Sequence, residues 1–200
     1  RGALEVSQKL FVAPDAETLV WDVAVTNRGG SPLEIDLFGY AELGQLESLL
    51  DVTWGYYVRY MFRTWFEQEA LLYLYHHQSH PRLADLPLVY FASDRPVASF
   101  SGDRQQFLGW GRSERNPAGV ERGDCGGGGL AGGDPCAALQ TRVAVAPGAT
   151  EKAAFFLGAI PKALGDFEGA KARLAAELER LRTPGFAEAQ FGRLQAWWDE

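Results

Sequence analysis

The chain has 200 residues, of which 46% are hydrophobic and 22% are charged, and its formal net charge at pH 7 is −7. This length fits one domain of generous size, or one domain with a small appendage, and it can bury a core without disulfide or metal staples. The acidic balance argues against a nucleic-acid partner. No run of about 18 apolar residues is present, so no segment is predicted to span a membrane.

The first half of the chain has the alternation typical of β-strands. Residues 4–12 alternate loosely, and residues 17–27 alternate clearly between apolar and polar side chains. A Gly-Gly turn separates this run from the alternating residues 33–43, which predicts a β-hairpin. Three further strand candidates, rich in aromatic and β-branched residues, are 52–66, 68–77 and 86–93.

The second half adds two strands and then changes period. Residues 138–145 and 150–159 flank the turn Ala-Pro-Gly-Ala, which predicts a second hairpin. Roughly eight strands with turn signals between them, and no βαβ alternation, indicate an antiparallel sandwich over residues 1–160.

Residues 161–200 are predicted to be helical. Apolar residues recur with helical spacing from Phe167 to Leu181, and Thr183-Pro184-Gly185 ends that helix. A second helix begins near Ala187 and has no stop signal before the end of the chain. The chain also starts almost directly in a strand pattern, so we expect a fragment of a longer protein in which these helices lead into another domain.

Two clusters suggest chemistry, but each has a plainer interpretation. His76 and His80 would share one face of a helix, as zinc ligands can, but the alternation up to His77 and Pro81 favour polar residues at a strand end. The glycine-rich run 126–133 lacks the Lys-Ser/Thr of a phosphate-binding loop, which favours a mobile connection. No metal ligand is assigned.

Acidic and aromatic side chains give two further candidates. Asp22, Asp36 and Glu42 could act as paired carboxylates on a glycoside, but solvated carboxylates that face out of a sandwich are the favoured interpretation. The aromatic residues between 54 and 65 could stack on sugars, although alternation directs about half of them to the core. The candidates for sugar stacking are Trp54, Tyr57 and Trp65. No catalytic residue is assigned.

The two cysteines, Cys125 and Cys136, lie on either side of the glycine-rich run. One pair at this spacing is neither a disulfide framework nor a zinc site. Two reduced thiols in a cytosolic protein are favoured over a structural disulfide.

Several stretches in order, among them TNRGGSPLEIDLFGYAE, SFSGDRQQFLG and GGDPCAALQ, resemble the N-terminal region of the glycoside hydrolase family 94 phosphorylases. The family includes cellobiose, cellodextrin and chitobiose phosphorylases and the phosphorylase-like part of cyclic β-1,2-glucan synthases. The resemblance covers nearly the whole chain, and its most specific parts are Phe100–Gly109 and Gly133–Gln140. The pattern LPLVYFAS together with GGDPCAALQ favours the cellobiose/cellodextrin branch.

The resemblance implies a galactose-mutarotase-like β-supersandwich, followed by two linker helices and then an (α/α)6 barrel. These enzymes are inverting β-glucoside phosphorylases, and their general acid and phosphate site belong to the barrel. This chain is therefore expected to be non-catalytic, with no cofactor and with inorganic phosphate only as the co-substrate of the parent enzyme. The implied partners are that C-terminal barrel, a β-linked oligosaccharide and a second subunit in a cytoplasmic homodimer.

The non-periodic segment 100–117 carries charges of both signs, aromatic side chains and glycines. In a domain that supports a barrel, such a segment is a candidate for the domain interface or the active-site mouth, with Asp103, Arg104 and Arg112 as the contact residues. The alternative is a self-contained loop in which backbone groups satisfy Asp103 and Arg104 locally. For the chain as a whole, the alternative function is a stand-alone carbohydrate-binding β-sandwich module.

Overall fold

The computed structural model describes residues 3–43, 60–75, 86–161, 163 and 165–199. Within these ranges the strands are β1 (Leu4–Val12), β2 (Thr18–Asn27), β3 (Leu33–Glu42), β4 (Phe62–Glu67), β5 (Ala70–Tyr75), β6 (Leu88–Ser93), β7 (Val97–Asp103), β8 (Leu130–Ala131), β9 (Pro135–Val145) and β10 (Thr150–Ile160). The helices are α1 (Arg104–Leu108), α2 (Ala118–Arg122), α3 (Phe167–Leu181) and α4 (Phe186–Trp198).

The strands form two antiparallel sheets, as predicted for a sandwich. The larger sheet has the order β1-β2-β10-β6-β5-β4-β8, and the smaller sheet has the order β3-β9-β7. The buried side chains shared between the sheets are Leu71, Phe91, Ala137, Leu139 and Phe155. The rings of Phe91 and Phe155 stack with their centroids 5.9 Å apart.

The two C-terminal helices form a third layer on the outer face of the larger sheet. The Asp166 side chain caps α3 by accepting from Gly169 N at 3.0 Å. The apolar stripe of α3, which includes Leu174 and Leu178, is buried in the same cluster as Phe156 of β10. Burying one such leucine stabilises the fold by roughly 1.5–3 kcal/mol, so the helices are part of the core of this domain.

Both predicted hairpins are wrong, because both turns cross from one sheet to the other. β2 pairs with β1 and β10, whereas β3 pairs with β9. The reason lies at Asn27, which is fully buried at the end of β2. Its Nδ2 donates to Ser31 O at 2.8 Å and to Val145 O at 3.0 Å, and its backbone N donates to Ala149 O at 3.0 Å. One side chain thus holds the two crossing connections together.

The hairpin of β4 and β5 has a two-residue turn, Gln68-Glu69. Glu67 pairs with Ala70, and both turn residues have positive φ, 56° and 57°. Positive φ at both turn residues gives the backbone twist that suits a tight hairpin, although such residues are usually glycine or asparagine. The predicted strands 52–66 and 68–77 therefore shorten to β4 and β5, while residues 52–59 and 76–77 lie outside the described part.

Candidate functional site

The segment 100–117, which shows no periodicity in the sequence, contains regular structure. Its first four residues complete β7, and α1 follows at once. Asp103 Oδ1 accepts from Gln105 N at 2.8 Å and from Gln106 N at 3.3 Å, so this carboxylate begins the helix. A five-residue helix is too short to show a period, which is why the sequence pattern missed it.

The end of β7 lies tightly against β4. A Cβ on Gly102 would stand 2.0 Å from Thr64 Oγ1, so only glycine fits at this position. The same Thr64 hydroxyl accepts from Leu130 N at 2.8 Å. These contacts fix the direction in which α1 leaves the sheet.

Helix α1 is anchored by Phe107 and Leu108, which are fully buried. The Phe107 ring stacks on Tyr40 with the centroids 5.4 Å apart. Cys125 and Cys136 belong to the same cluster, and both are free thiols, as predicted. Burial raises the pKa of Cys125 to about 11 and raises the pKa of Cys136 further, so neither thiol is an activated nucleophile at neutral pH.

Arg104 is paired within the domain. Its Nε donates to Glu42 Oε1 at 2.8 Å, and its Nη2 lies 3.6 Å from Glu114 Oε1. Tyr40 also donates its hydroxyl to Glu42 Oε1, at 3.1 Å. The hydrogen bond from Arg104 is the main reason that the pKa of Glu42 lies below its usual value. Arg104 is thus paired within the domain by side-chain carboxylates rather than by backbone groups of its own loop, and its role at a domain boundary stays a prediction.

Arg112 closes the loop between α1 and α2. Its Nη1 lies 2.5 Å from Glu121 Oε2 and donates to Asn116 O at 3.3 Å. Like Arg104, it keeps about a third of its side chain exposed (35%). Both arginines are therefore held in place and can still be reached from outside.

The sequence analysis missed Trp110, whose residue is 83% exposed. It stands between Gly109 and Gly111, which have φ values of 89° and 67°. A glycine with positive φ on each side of Trp110 turns the chain outward and leaves the indole on the tip of the loop. The motif Gly-Trp-Gly in a segment without periodicity is the signal that could have identified it. We call Arg104, Trp110, Arg112 and Glu114 together the α1–α2 surface.

The other candidates lie elsewhere. Trp54, Tyr57, His76, His77 and His80 fall outside the described residues. Trp65 is partly buried: its ring packs on Phe167 with a centroid distance of 6.2 Å, and its Nε1 donates to Glu67 Oε2 at 2.9 Å. Its sugar-stacking role stays a prediction.

Two further assignments concern the carboxylates and the glycine-rich run. Asp36 and Glu42 are exposed, but the prediction of a solvated Asp22 is wrong, because the third layer covers its face and leaves it 6% exposed. Two backbone bonds hold the glycine-rich run on β7, from Gly127 N to Phe100 O and from Gly102 N to Gly128 O.

The α1–α2 surface can bind but carries no acid–base pair set up for chemistry. Its carboxylates are tied to arginines, and its uncommitted group is an indole, which can stack on a sugar ring or enter an apolar pocket. Within the described ranges, no group of three or more His, Cys, Asp and Glu side chains could hold a metal ion. None of the helices in that part of the chain is long and apolar enough to cross a membrane.

Two antiparallel sheets packed face to face, with two helices on the outer face of the larger sheet, define an antiparallel β-sandwich domain. The chain belongs to the glycosyl hydrolase 94 supersandwich-domain family, whose model matches residues 1–182. The resemblance stated from the sequence is thereby confirmed.

Curated relatives are similar over nearly the whole chain. N,N'-diacetylchitobiose phosphorylase of Vibrio furnissii is 27% identical over 97% of this chain, and the cyclic β-(1,2)-glucan synthase NdvB of Rhizobium meliloti is 28% identical over 88%. The chain spans 23% of the first relative's length and 6% of the second's. A solved putative kojibiose phosphorylase from the human microbiome shares the fold, with a TM-score of 0.54 and 8% identity over 94% of this chain and 20% of its own.

Proposed function

We propose that this chain is the non-catalytic N-terminal domain of an inverting β-glucoside phosphorylase. The observation that carries the proposal is the match of the supersandwich family over residues 1–182, together with the sandwich that the chain forms. In the parent enzyme, inorganic phosphate cleaves a β-linked gluco-oligosaccharide and releases a sugar 1-phosphate. The general acid and the phosphate site belong to a C-terminal barrel, and the enzyme works as a cytoplasmic homodimer.

The α1–α2 surface is the part of this domain that faces the barrel and the active-site mouth. Trp110 supplies an exposed apolar group, while Arg104 and Arg112 are held by local carboxylates in positions that another chain segment can reach. A guanidinium that is already oriented loses little conformational entropy when it gains a further acceptor. Such a surface suits an interface that must be formed with fixed geometry.

A second surface supports a protein partner. Leu4, Val6, Leu10 and Val12 alternate along the edge strand β1, and each is 43–60% exposed. The seven-stranded sheet extends beyond the three-stranded one, which leaves this stripe without a facing layer among the described strands. Exposed apolar patches of this kind mark protein interfaces, in agreement with a dimer or a further domain.

The test is Trp110→Ala in the parent enzyme and in the isolated chain. Because the indole is exposed, the isolated chain should melt within about 0.5 kcal/mol of wild type. Phosphorolysis, followed as sugar 1-phosphate, should fall in the parent enzyme, whereas the exposed-arginine control Arg142→Ala should leave it unchanged. Full activity of the Trp110→Ala parent would contradict the assignment of this surface, and sugar 1-phosphate release by the 200-residue chain alone would contradict the non-catalytic role.

The alternative function is a stand-alone carbohydrate-binding module, and the 83% exposure of Trp110 is the observation that favours it. A sugar ring can stack on an exposed indole without any contribution from a further domain. Saturable binding of cello-oligosaccharides by the isolated chain, lost in Trp110→Ala, would support this alternative over a docking role.

A further inference from the structure

A cavity of about 340 Å³ lies between the outer face of the larger sheet and the turn that joins α3 to α4. Its floor is formed by Asp22 of β2 and Phe156 of β10, and the turn residues Pro184 and Phe186 form part of its wall. The volume is at the low end of the roughly 300–1,000 Å³ found for small-ligand pockets. The cavity is separate from the α1–α2 surface.

Asp22 is the unexplained residue of this cavity. Its exposed fraction is only 6%. The residues that the structure describes form no hydrogen bond to its carboxylate. Its register neighbours on the adjacent strands are Lys9 and Ala154. The Lys9 ammonium is turned to the Phe191 ring, 4.3 Å from its centroid. The Asp22 oxygens still open into the cavity, because the buried side-chain oxygens without a partner among the described residues are those of Gln68 and Gln190. A ligand that supplies hydrogen-bond donors can therefore reach the Asp22 carboxylate.

The cations of the wall already have partners. Lys152 is ion-paired with Glu188, and Arg95 donates to Lys152 O and lies 3.0 Å from Glu151 Oε2. Arg182 donates to the backbone carbonyls of the β4–β5 turn and of Ser93.

The hydrogen-bonding groups of the cavity that remain available to a ligand are therefore acceptors. The Asp22 carboxylate has no donor, and Asp94 accepts from Ala154 N at 2.8 Å, which leaves sites on its carboxylate for further donors. The ligand must accordingly donate hydrogen bonds.

These features select one class of ligand. An organic cation would meet three positively charged side chains in the wall, and the described residues offer no group of three ligands for a metal ion. A neutral polyol avoids both problems, because its hydroxyl groups donate to carboxylates and also accept from ammonium and guanidinium groups. Its C–H face can pack on Phe186, which is partly exposed at the cavity wall.

We propose that this cavity binds a single neutral sugar ring, with Asp22 as the principal acceptor and Asp94 as the second. The proposal is independent of catalysis, since the site lies within this domain and uses none of the residues of the α1–α2 surface. It assigns the carboxylate on the cavity floor a role in binding.

The experiment is a titration of the 200-residue chain with D-glucose, followed by two-dimensional amide NMR. The expected result is saturable binding in the millimolar range, with shifts confined to β2, the residues after β6 and the α3–α4 turn. Asp22→Asn keeps the shape of the side chain but loses its charge, and it should weaken binding at least about tenfold. A thermal melt of this variant without sugar checks that it folds.

Two further variants keep the test decisive. Thr183→Trp, at an exposed position in the cavity wall, should block binding even if Asp22→Asn does not fold. Trp110→Ala should bind glucose as the wild type does. The proposal is overturned if glucose produces no saturable shifts, if the shifts centre on Trp110, or if Thr183→Trp binds glucose normally.

Discussion

Replacing Arg182 by alanine should be among the most destabilising changes to a partly exposed residue in this protein. Arg182 ends α3, and its guanidinium reaches across the outer face of the sheet to three backbone carbonyls. Nε donates to Ser93 O at 3.1 Å, both Nη atoms donate to Gln68 O at 3.3 Å, and Nη2 donates to Glu69 O at 2.8 Å. It thus ties the helical layer to the end of β6 and to the strained turn between β4 and β5.

The magnitude follows from these bonds. A hydrogen bond to a charged group contributes about 1.5–3 kcal/mol, and bonds that share one guanidinium are not additive. Burial lowers the pKa of Arg182, which shows that desolvation offsets part of this gain. We expect Arg182→Ala to lower the free energy of unfolding by about 2–4 kcal/mol, a large share of the roughly 5–15 kcal/mol of a typical domain. The corresponding fall in Tm is about 4–16 °C for a domain of this size.

The assay is urea unfolding of the 200-residue chain, followed by circular dichroism. Arg182→Lys keeps the charge but cannot reach three carbonyls with a rigid fork, so it should recover only part of the loss. Arg173→Ala is the matched control, since Arg173 lies on the same helix and makes one exposed bond to Pro161 O at 3.0 Å. A loss within about 0.5 kcal/mol for Arg182→Ala, the range of an uninvolved surface site, would refute the reasoning.

Three further predictions follow from the fold. Asn27→Ala should lower the free energy of unfolding by about 2–4 kcal/mol in the same assay, because the buried carbonyl of Val145 and the partly buried carbonyl of Ser31 lose their donor; an unchanged midpoint would show that the crossing connections hold without it. Gln68→Asn with Glu69→Gly should raise the unfolding midpoint, because both positions have positive φ, and a lower midpoint would contradict the assigned turn. Desolvation raises the pKa of Asp94, so wild-type stability should fall as pH rises from about 4 through that raised value. Asp94→Asn should then be the more stable protein at pH 7 and lose this advantage in acid, and pH-dependent melts with no such crossing would exclude the effect.

Periodicity predicted eight of the strands and the two C-terminal helices, but it missed β7, β8, α1 and α2 and did not give the partners of the strands. The alternation at residues 17–27 and the helical stripe from Phe167 to Leu181 depend on one face being buried, which any correct fold must satisfy. Pairing depends on where a turn sends the chain. At Asn27 that direction is set by acceptors at Ser31 and Val145, the second 118 residues away in the chain. No local pattern contains this information, so both hairpins were assigned wrongly.

The candidate sites also combine features that neighbouring residues determine with features that distant segments of the chain determine. The sequence identified Asp103 and Arg104 as residues that could cap or pair. Asp103 does so within one turn of helix, whereas the partner of Arg104, Glu42, lies 62 residues earlier in the chain and could not be named from the sequence. The sequence could not show that the outer face of β2 is covered. The helices that cover it begin 140 residues after the end of β2, and their apolar residues do not identify the surface on which they pack. Asp22 therefore looked like an ordinary solvated carboxylate. Asp22 is buried because the C-terminal helices pack over its side of the sheet, and residues of the α3–α4 turn form the wall of the cavity beside it.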